Sequence, residues 1–222
     1  MKMKIYKIYS TLMMLMLMFG SAFVITSCGD DDPTDDMGKL PKGVEAVDLG
    51  LPSGVKWANM NVGATTPEDF GDYFAWGETE PKSDYSLSTY FESKFDKYAT
   101  DKKTQLDPED DVVHVKWGGD WRMPTKSEQD ELRGKCSWKW TSMGGVDGCI
   151  VTGPNGNSIF LPAAGYRYND SLYVAGSNGY YWSSSLYGDA SDYACSLGFF
   201  LSGADWSYYY RYGGLAIRAV CP

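Results

Sequence analysis

Between residues 202 and 213 the chain reads Ser-Gly-Ala-Asp-Trp-Ser-Tyr-Tyr-Tyr-Arg-Tyr-Gly, large rings, one guanidinium and one carboxylate mixed with small residues. Such a mixture suits recognition better than bond breaking, because Tyr and Trp supply rigid contact area and Ser and Gly let it adapt. Asp205, Trp206, Tyr208, Tyr209, Tyr210 and Arg211 are therefore the candidate ligand contacts, read here as a loop between two strands. Aromatic faces suit sugar stacking, and Asp205 or the separate pair Asn169 and Asp170 can hydrogen-bond hydroxyls. Catalytic sets are thinner. A Ser–His hydrolase would have to use His114, the one histidine, which sits between Val113 and Val115 in a helical stretch. Glycoside cleavage needs two acids across a cleft, and 29 acids make no pair distinctive, so a carbohydrate-active enzyme is an alternative without assignable residues. Asp107, Glu109, Asp110 and Asp111 form the densest set of oxygen ligands for a Ca²⁺ ion, although acids at a helix start serve equally to complement its dipole. No phosphate loop or dinucleotide fingerprint occurs, and no cofactor is assigned.

Five cysteines are present, and none of them form a C-x-x-C pair. With Cys28 set aside, Cys136, Cys149, Cys195 and Cys221 make an even number in an exported chain, which points to disulfides. Antiparallel pairing of residues 192–200 with 215–221 would bring Cys195 opposite Cys221, leaving Cys136 with Cys149.

The elements that must position these residues begin after an address segment. Lys2, Lys4 and Lys7 precede an apolar stretch from Leu12 to Ile25, the layout of an export signal over residues 1–27. The stretch is short for a membrane span, which takes about 20 residues. It ends in Ile25-Thr26-Ser27-Cys28, similar to the lipobox of bacterial lipoproteins, so Cys28 is the expected lipid attachment site and new N-terminus. Residues 28–43 are polar, with five Asp between 30 and 36, and read as a solvated tether. An acidic tract directly after the lipidated Cys resembles the signal that sends Bacteroides-group lipoproteins to the outside of the outer membrane. Removing the signal takes three Lys and no acid, so the formal charge moves from −9 to −12. A chain this acidic is a poor partner for nucleic acid. Its membrane contact is expected through the lipid alone, and its partners are a glycan or a surface protein.

Residues 44–222 form one domain. The Asp107-Pro-Glu-Asp-Asp111 segment predicts a helix capped by Asp107 and continuing to Gly118. Thr125-Lys-Ser-Glu128 is a capping box that opens a second helix running to about Arg133. After Cys136 short strands are expected at 137–142, 149–152, 158–163, 180–187, 192–200 and 215–220, with a hairpin turn at 153–157. Trp57, Trp76, Trp117, Trp121, Trp138, Trp140 and Trp182 are expected mostly in packing positions. The fold class is α+β, two short helices on a twisted, mainly antiparallel sheet with long loops.

Six collinear strings carry a resemblance: Val47–Gly63, Gly71–Thr79, Trp117–Thr125, Ser158–Arg167, Tyr181–Ser185 and Leu215–Val220. Together they resemble the Fibrobacter succinogenes major paralogous domain family. That family looks similar to the C-type lectin-like and formylglycine-generating-enzyme folds, the latter through Trp121-Arg-Met-Pro-Thr-Lys-Ser-Glu128, since there too an Arg-x-Pro-Thr-x-x-Glu segment opens a helix. The resemblance implies a C-type-lectin-like fold and an envelope location, and implies no established activity. The paired Cys that hold copper in formylglycine-generating enzymes and the calcium motifs of sugar-binding lectins do not occur; Tyr168-Asn-Asp170 is a partial echo. The expected role is a non-catalytic surface lipoprotein that binds a glycan or protein ligand, with a structural or assembly component of an envelope or fimbrial complex as the alternative.

Overall fold

The computed structural model describes residues 39–90, 97–98, 103–188 and 190–222; the signal segment, Cys28 and most of the tether lie outside these. Short apolar runs punctuated by turn residues build eleven strands among the described residues, all in antiparallel pairs. β1 (Ala46–Asp48), β2 (Lys56–Ala58) and β11 (Val220–Cys221) make one sheet in the order β1-β2-β11. β3 (Ser137–Met143), β4 (Val146–Thr152) and β5 (Ser158–Pro162) form a meander. Its first turn is Gly144-Gly145, with φ of 57° and 85°, a two-residue hairpin loop that only glycine enters without strain. The second is the expected turn at 153–157, closed by Gly153 N–H donating to Asn157 at 2.9 Å. β6 (Tyr166–Tyr168) and β7 (Ser171–Tyr173) are a small hairpin. β8 (Asn178–Leu186), β9 (Tyr193–Phe200) and β10 (Gly203–Tyr210) form the third sheet, with β9 central.

Two α-helices complete the described architecture, an α+β chain dominated by antiparallel sheet. α2 (Lys126–Lys135) begins with the expected capping box, Thr125 Oγ1 accepting from the Glu128 amide and the Glu128 carboxylate accepting from the Thr125 amide. It runs through Gly134, one turn end beyond the expected stop. α1 (Val112–Trp117) differs from expectation. Pro108–Asp110 is a separate 3-10 turn, and the cap is Asp111, which accepts from the amides of Val113 at 2.9 Å and His114 at 3.2 Å. Asp111 also accepts from Met123 N–H at 2.8 Å, tying the helix head to the strand-like segment before α2.

Three expectations are corrected. The run 202–213 is largely strand: β10 pairs with β9 over eight consecutive residues, from Gly203 opposite Phe200 to Tyr210 opposite Tyr193. The segment 215–220 is a ladder strand only at its end, because Leu215 bridges Phe74 while Ala216 bridges Tyr181, so successive residues meet different neighbours. The expected disulfides do not form, since Cys136, Cys149 and Cys195 are free thiols. Cys195 lies opposite Tyr208 in the β8-β9-β10 sheet whereas Cys221 is in β11 beside β2, and Cys149 faces Trp140 and Leu161. Burial pushes the Cys136 and Cys149 thiols up to about 11, which keeps them protonated and poorly nucleophilic.

Two apolar clusters fill the interior. One gathers Leu132 of α2, Val151, Leu161, Tyr181, Leu197 and Phe199 between the meander and the face of β8–β9 that α2 covers. The other gathers Trp76, Trp121, Trp182, Leu215 and Ile217 around α1. The long loop before α1 is pinned to the third sheet by reciprocal indole bonds, Trp76 Nε1–H to Ser183 O at 2.9 Å and Trp182 Nε1–H to Phe74 O at 2.8 Å. Arg218 lies fully buried and donates to Asn61 Oδ1, Ala58 O and Phe160 O at 2.9–3.0 Å.

Candidate functional site

A strand displays alternate residues on opposite faces, and β10 is the outer strand of its sheet. Trp206, Tyr208 and Tyr210 share the face of Leu197, Cys195 and Tyr193, their partners on β9. α2 covers β8 and β9 on this face and reaches only the near side of β10. The three β10 rings therefore remain 42%, 45% and 38% exposed, while Leu197 and Cys195 are buried.

The exposed rings belong to a longer aromatic band. Trp206 lies 6.1 Å from Tyr208, Tyr208 5.5 Å from Tyr193, Tyr193 4.4 Å from Tyr210, Tyr210 5.1 Å from Tyr212, and Tyr212 6.0 Å from Tyr168, ring centre to ring centre. Tyr187 stacks on Tyr208 at 4.3 Å and on Trp206 at 6.0 Å. Offset and edge contacts of this kind contribute about 1 kcal/mol each and hold the rings in place before any ligand arrives. A hydrogen bond to Tyr210 pushes Tyr193 up to about 12, and burial with a bond to Tyr168 does the same for Tyr212. These hydroxyls stay protonated at neutral pH, able both to donate and to accept.

Each end of the band meets a polar hollow. At the Trp206 end, Thr104, Gln105, Ser127 and Asp130 line one with Lys126, whose ammonium lies 5.4 Å from the Trp206 ring centre. Charges there are balanced: Lys126 pairs with Asp130, Arg133 with Asp130 at 3.7 Å, and Arg133 with Asp205 at 3.4 Å. At the Tyr168 end, Ser83, Asp84 and Ser86 line a second hollow with Asn169 and Asp170. It runs into a groove containing Asp72, Lys82 and Arg167. The β6–β7 tip is held there by Tyr85 N–H donating to Asn169 O at 2.7 Å, with Asn169 in the left-handed region at φ 53°. Asn tolerates that conformation better than most residues.

The sequence-predicted contacts are thus partly assembled. Asp205, Trp206, Tyr208 and Tyr210 lie together, and Asn169 and Asp170 lie at the far end of the same band. Tyr209 points to the opposite face, where its ring packs 4.8 Å from Tyr166 and burial raises its hydroxyl. Arg211 is fully buried beneath the band, 5.0–5.5 Å from the ring centres of Trp76, Tyr90 and Tyr98, and donates to Ser191 O at 3.0 Å. Both are packing residues, because strand alternation and the chain's turn inward after Tyr210 remove them from the surface. Tyr168, Tyr187, Tyr193, Tyr212 and Lys126 were not anticipated. Reading the β-favouring Trp-Ser-Tyr-Tyr-Tyr run as a strand paired with 193–200 would have found Tyr193.

The other candidates serve the fold. Lys97 Nζ lies 2.7 Å from Asp107, 3.0 Å from Glu109 and 2.9 Å from Asp110, and the Tyr98 hydroxyl donates to Asp110 at 2.6 Å. With Asp111 spent on three amides, this set is no Ca²⁺ cradle, and among the described residues no group of His, Cys, Asp and Glu is arranged to hold a metal ion. His114 sits within α1, its amide donating to Asp111 and its carbonyl accepting from Gly118 at 3.0 Å.

A family model described as a domain of unknown function (DUF8237) matches residues 139–220. That stretch runs from within β3 to the start of β11 and includes the whole β8-β9-β10 sheet. No curated protein and no solved structure matches the chain.

Proposed function

We propose that the chain is a lipid-anchored protein displayed outside the outer membrane, a C-type-lectin-like member of the paralogous-domain group it resembles, which binds a glycan without chemistry through the β10 face. The observation that carries this reading is the exposed, mutually braced row Trp206, Tyr208 and Tyr210 with hydrogen-bonding hollows beside it. Such a row offers apolar area to the C–H faces of sugars and hydroxyls to their rims. The bidentate Arg122–Glu128 pair at the head of α2, with N–O distances of 2.8 and 2.6 Å, supports the fold likeness, since it involves the Arg and Glu of the resembling string.

Detergent-solubilised full-length protein on a glycan array tests the reading. Trp206→Ala and Tyr208→Ala each remove binding while the thermal midpoint changes little, because exposed substitutions shift stability by about 0.5 kcal/mol. Equal binding by wild type and both variants would remove the β10 face as the site.

One observation favours the second reading, an assembly component. β10 is a regular outer strand without Pro, Lys or bulge, the kind of edge that accepts a partner's strand. In-cell crosslinking from β10 that captures one fixed protein neighbour, with no glycan bound on the array, would establish that role instead.

A further inference from the structure

Resting on the glycan reading above, we infer that the ligand is a neutral linear polysaccharide lying along the whole aromatic band, with several consecutive units engaged between the Lys126 hollow and the Asn169–Asp170 hollow. The geometry argues for a chain rather than a terminal sugar. Trp206 and Tyr168 are separated by five successive ring contacts of 4.4–6.1 Å, more than one or two sugar rings can span. Rings that run on continuously leave no closed pocket that would select a chain end, and both hollows are open to solvent at the surface. Neighbouring rings brace one another, so the surface is ordered along its length before binding.

Charge decides the class of polymer. The protein is strongly acidic, and cations near the band are already matched: Lys126 with Asp130, Arg133 with Asp205, and Lys82 with Glu78 at 2.9 Å. Arg167 lies in the far groove, with its guanidinium 5.1 Å from the Tyr73 ring centre, and shares that groove with Asp72 and Asp170. A polyanion would meet repulsion along this path, whereas hydroxyls find carboxylate, amide and hydroxyl partners at both ends.

The test titrates full-length protein in detergent with neutral gluco-, xylo- and manno-oligosaccharides of two to eight units, with polygalacturonate as the polyanion. For the series that binds, affinity rises at least tenfold from the disaccharide to the hexasaccharide and is insensitive to salt. Trp206→Ala at one end and Tyr168→Ala or Asp170→Ala at the other each flatten that rise. A disaccharide binding as tightly as the hexasaccharide, or far-end variants that leave the rise intact, would overturn the extended site while the glycan reading stands. Polygalacturonate competing as well as the neutral polymer would overturn the neutral class. Binding of no saccharide in any series would overturn both readings together.

Discussion

Arg218 shows how much of this molecule depends on single buried polar side chains. Burial lowers its guanidinium to about 10, still charged at neutral pH, and its hydrogen bonds go to one side-chain amide and two carbonyls, on segments far apart in sequence. Lys cannot reproduce that planar fork. Arg218→Lys is expected to leave at least one acceptor unpaired and to cost about 3 kcal/mol, read as a lower urea midpoint with an unchanged slope; an unchanged midpoint would show that the three bonds are dispensable. The same scale explains what could be read at Trp206 and not at Arg211. Residue type alone marks Trp206 as contact-forming, and its place on an outer strand keeps it exposed. Arg211 has the right type but follows the last residue of β10, where the chain turns inward over Trp76, and chain neighbours do not reveal that turn.

The elements differ in how local their causes are. The capping box of α2 joins residues three apart, so Thr125 and Glu128 could be read directly. β10 could not, because strand and loop are distinguished here by pairing with β9, and the disulfide pairing failed with the strand pairing it assumed. Glu128 gives this scale a pH test. Burial works to raise its carboxyl, but the Arg122 guanidinium and the Thr125 donors outweigh burial and hold the folded-state value below the ordinary one. Its stabilisation is therefore complete above the unfolded carboxyl's value of about 4.3 and is lost as pH falls through the lower folded value. Glu128→Gln lacks that titration, so the stability gap between wild type and variant is expected to be widest near neutrality and to close in acid. Chemical denaturation across that range measures it, and a gap independent of pH would sink the assignment.

For the whole molecule, the sequence supplied the address in linear order, signal, Cys28, acidic tether, domain, which needs no folding to read. The proposed anchor predicts that Cys28→Ala moves the protein from the membrane fraction to the soluble one and abolishes labelling by a fatty-acid analogue; continued membrane retention without label would refute it. The aromatic band was less legible, since it joins residues of four strand neighbourhoods and becomes continuous only when the β6–β7 tip docks beside β10. The arrangement of the first sheet then acquires a mechanical meaning. A molecule fixed at one end and holding a polymer at the other is a link under tension, and the pull enters at β1, the strand nearest the tether. β1 is an outer strand of three residues paired only with β2, whereas β10 is held by eight consecutive pairs. Under load β1 peels first, lengthening the leash and absorbing work like a fuse, while the surface that grips the polymer keeps its shape.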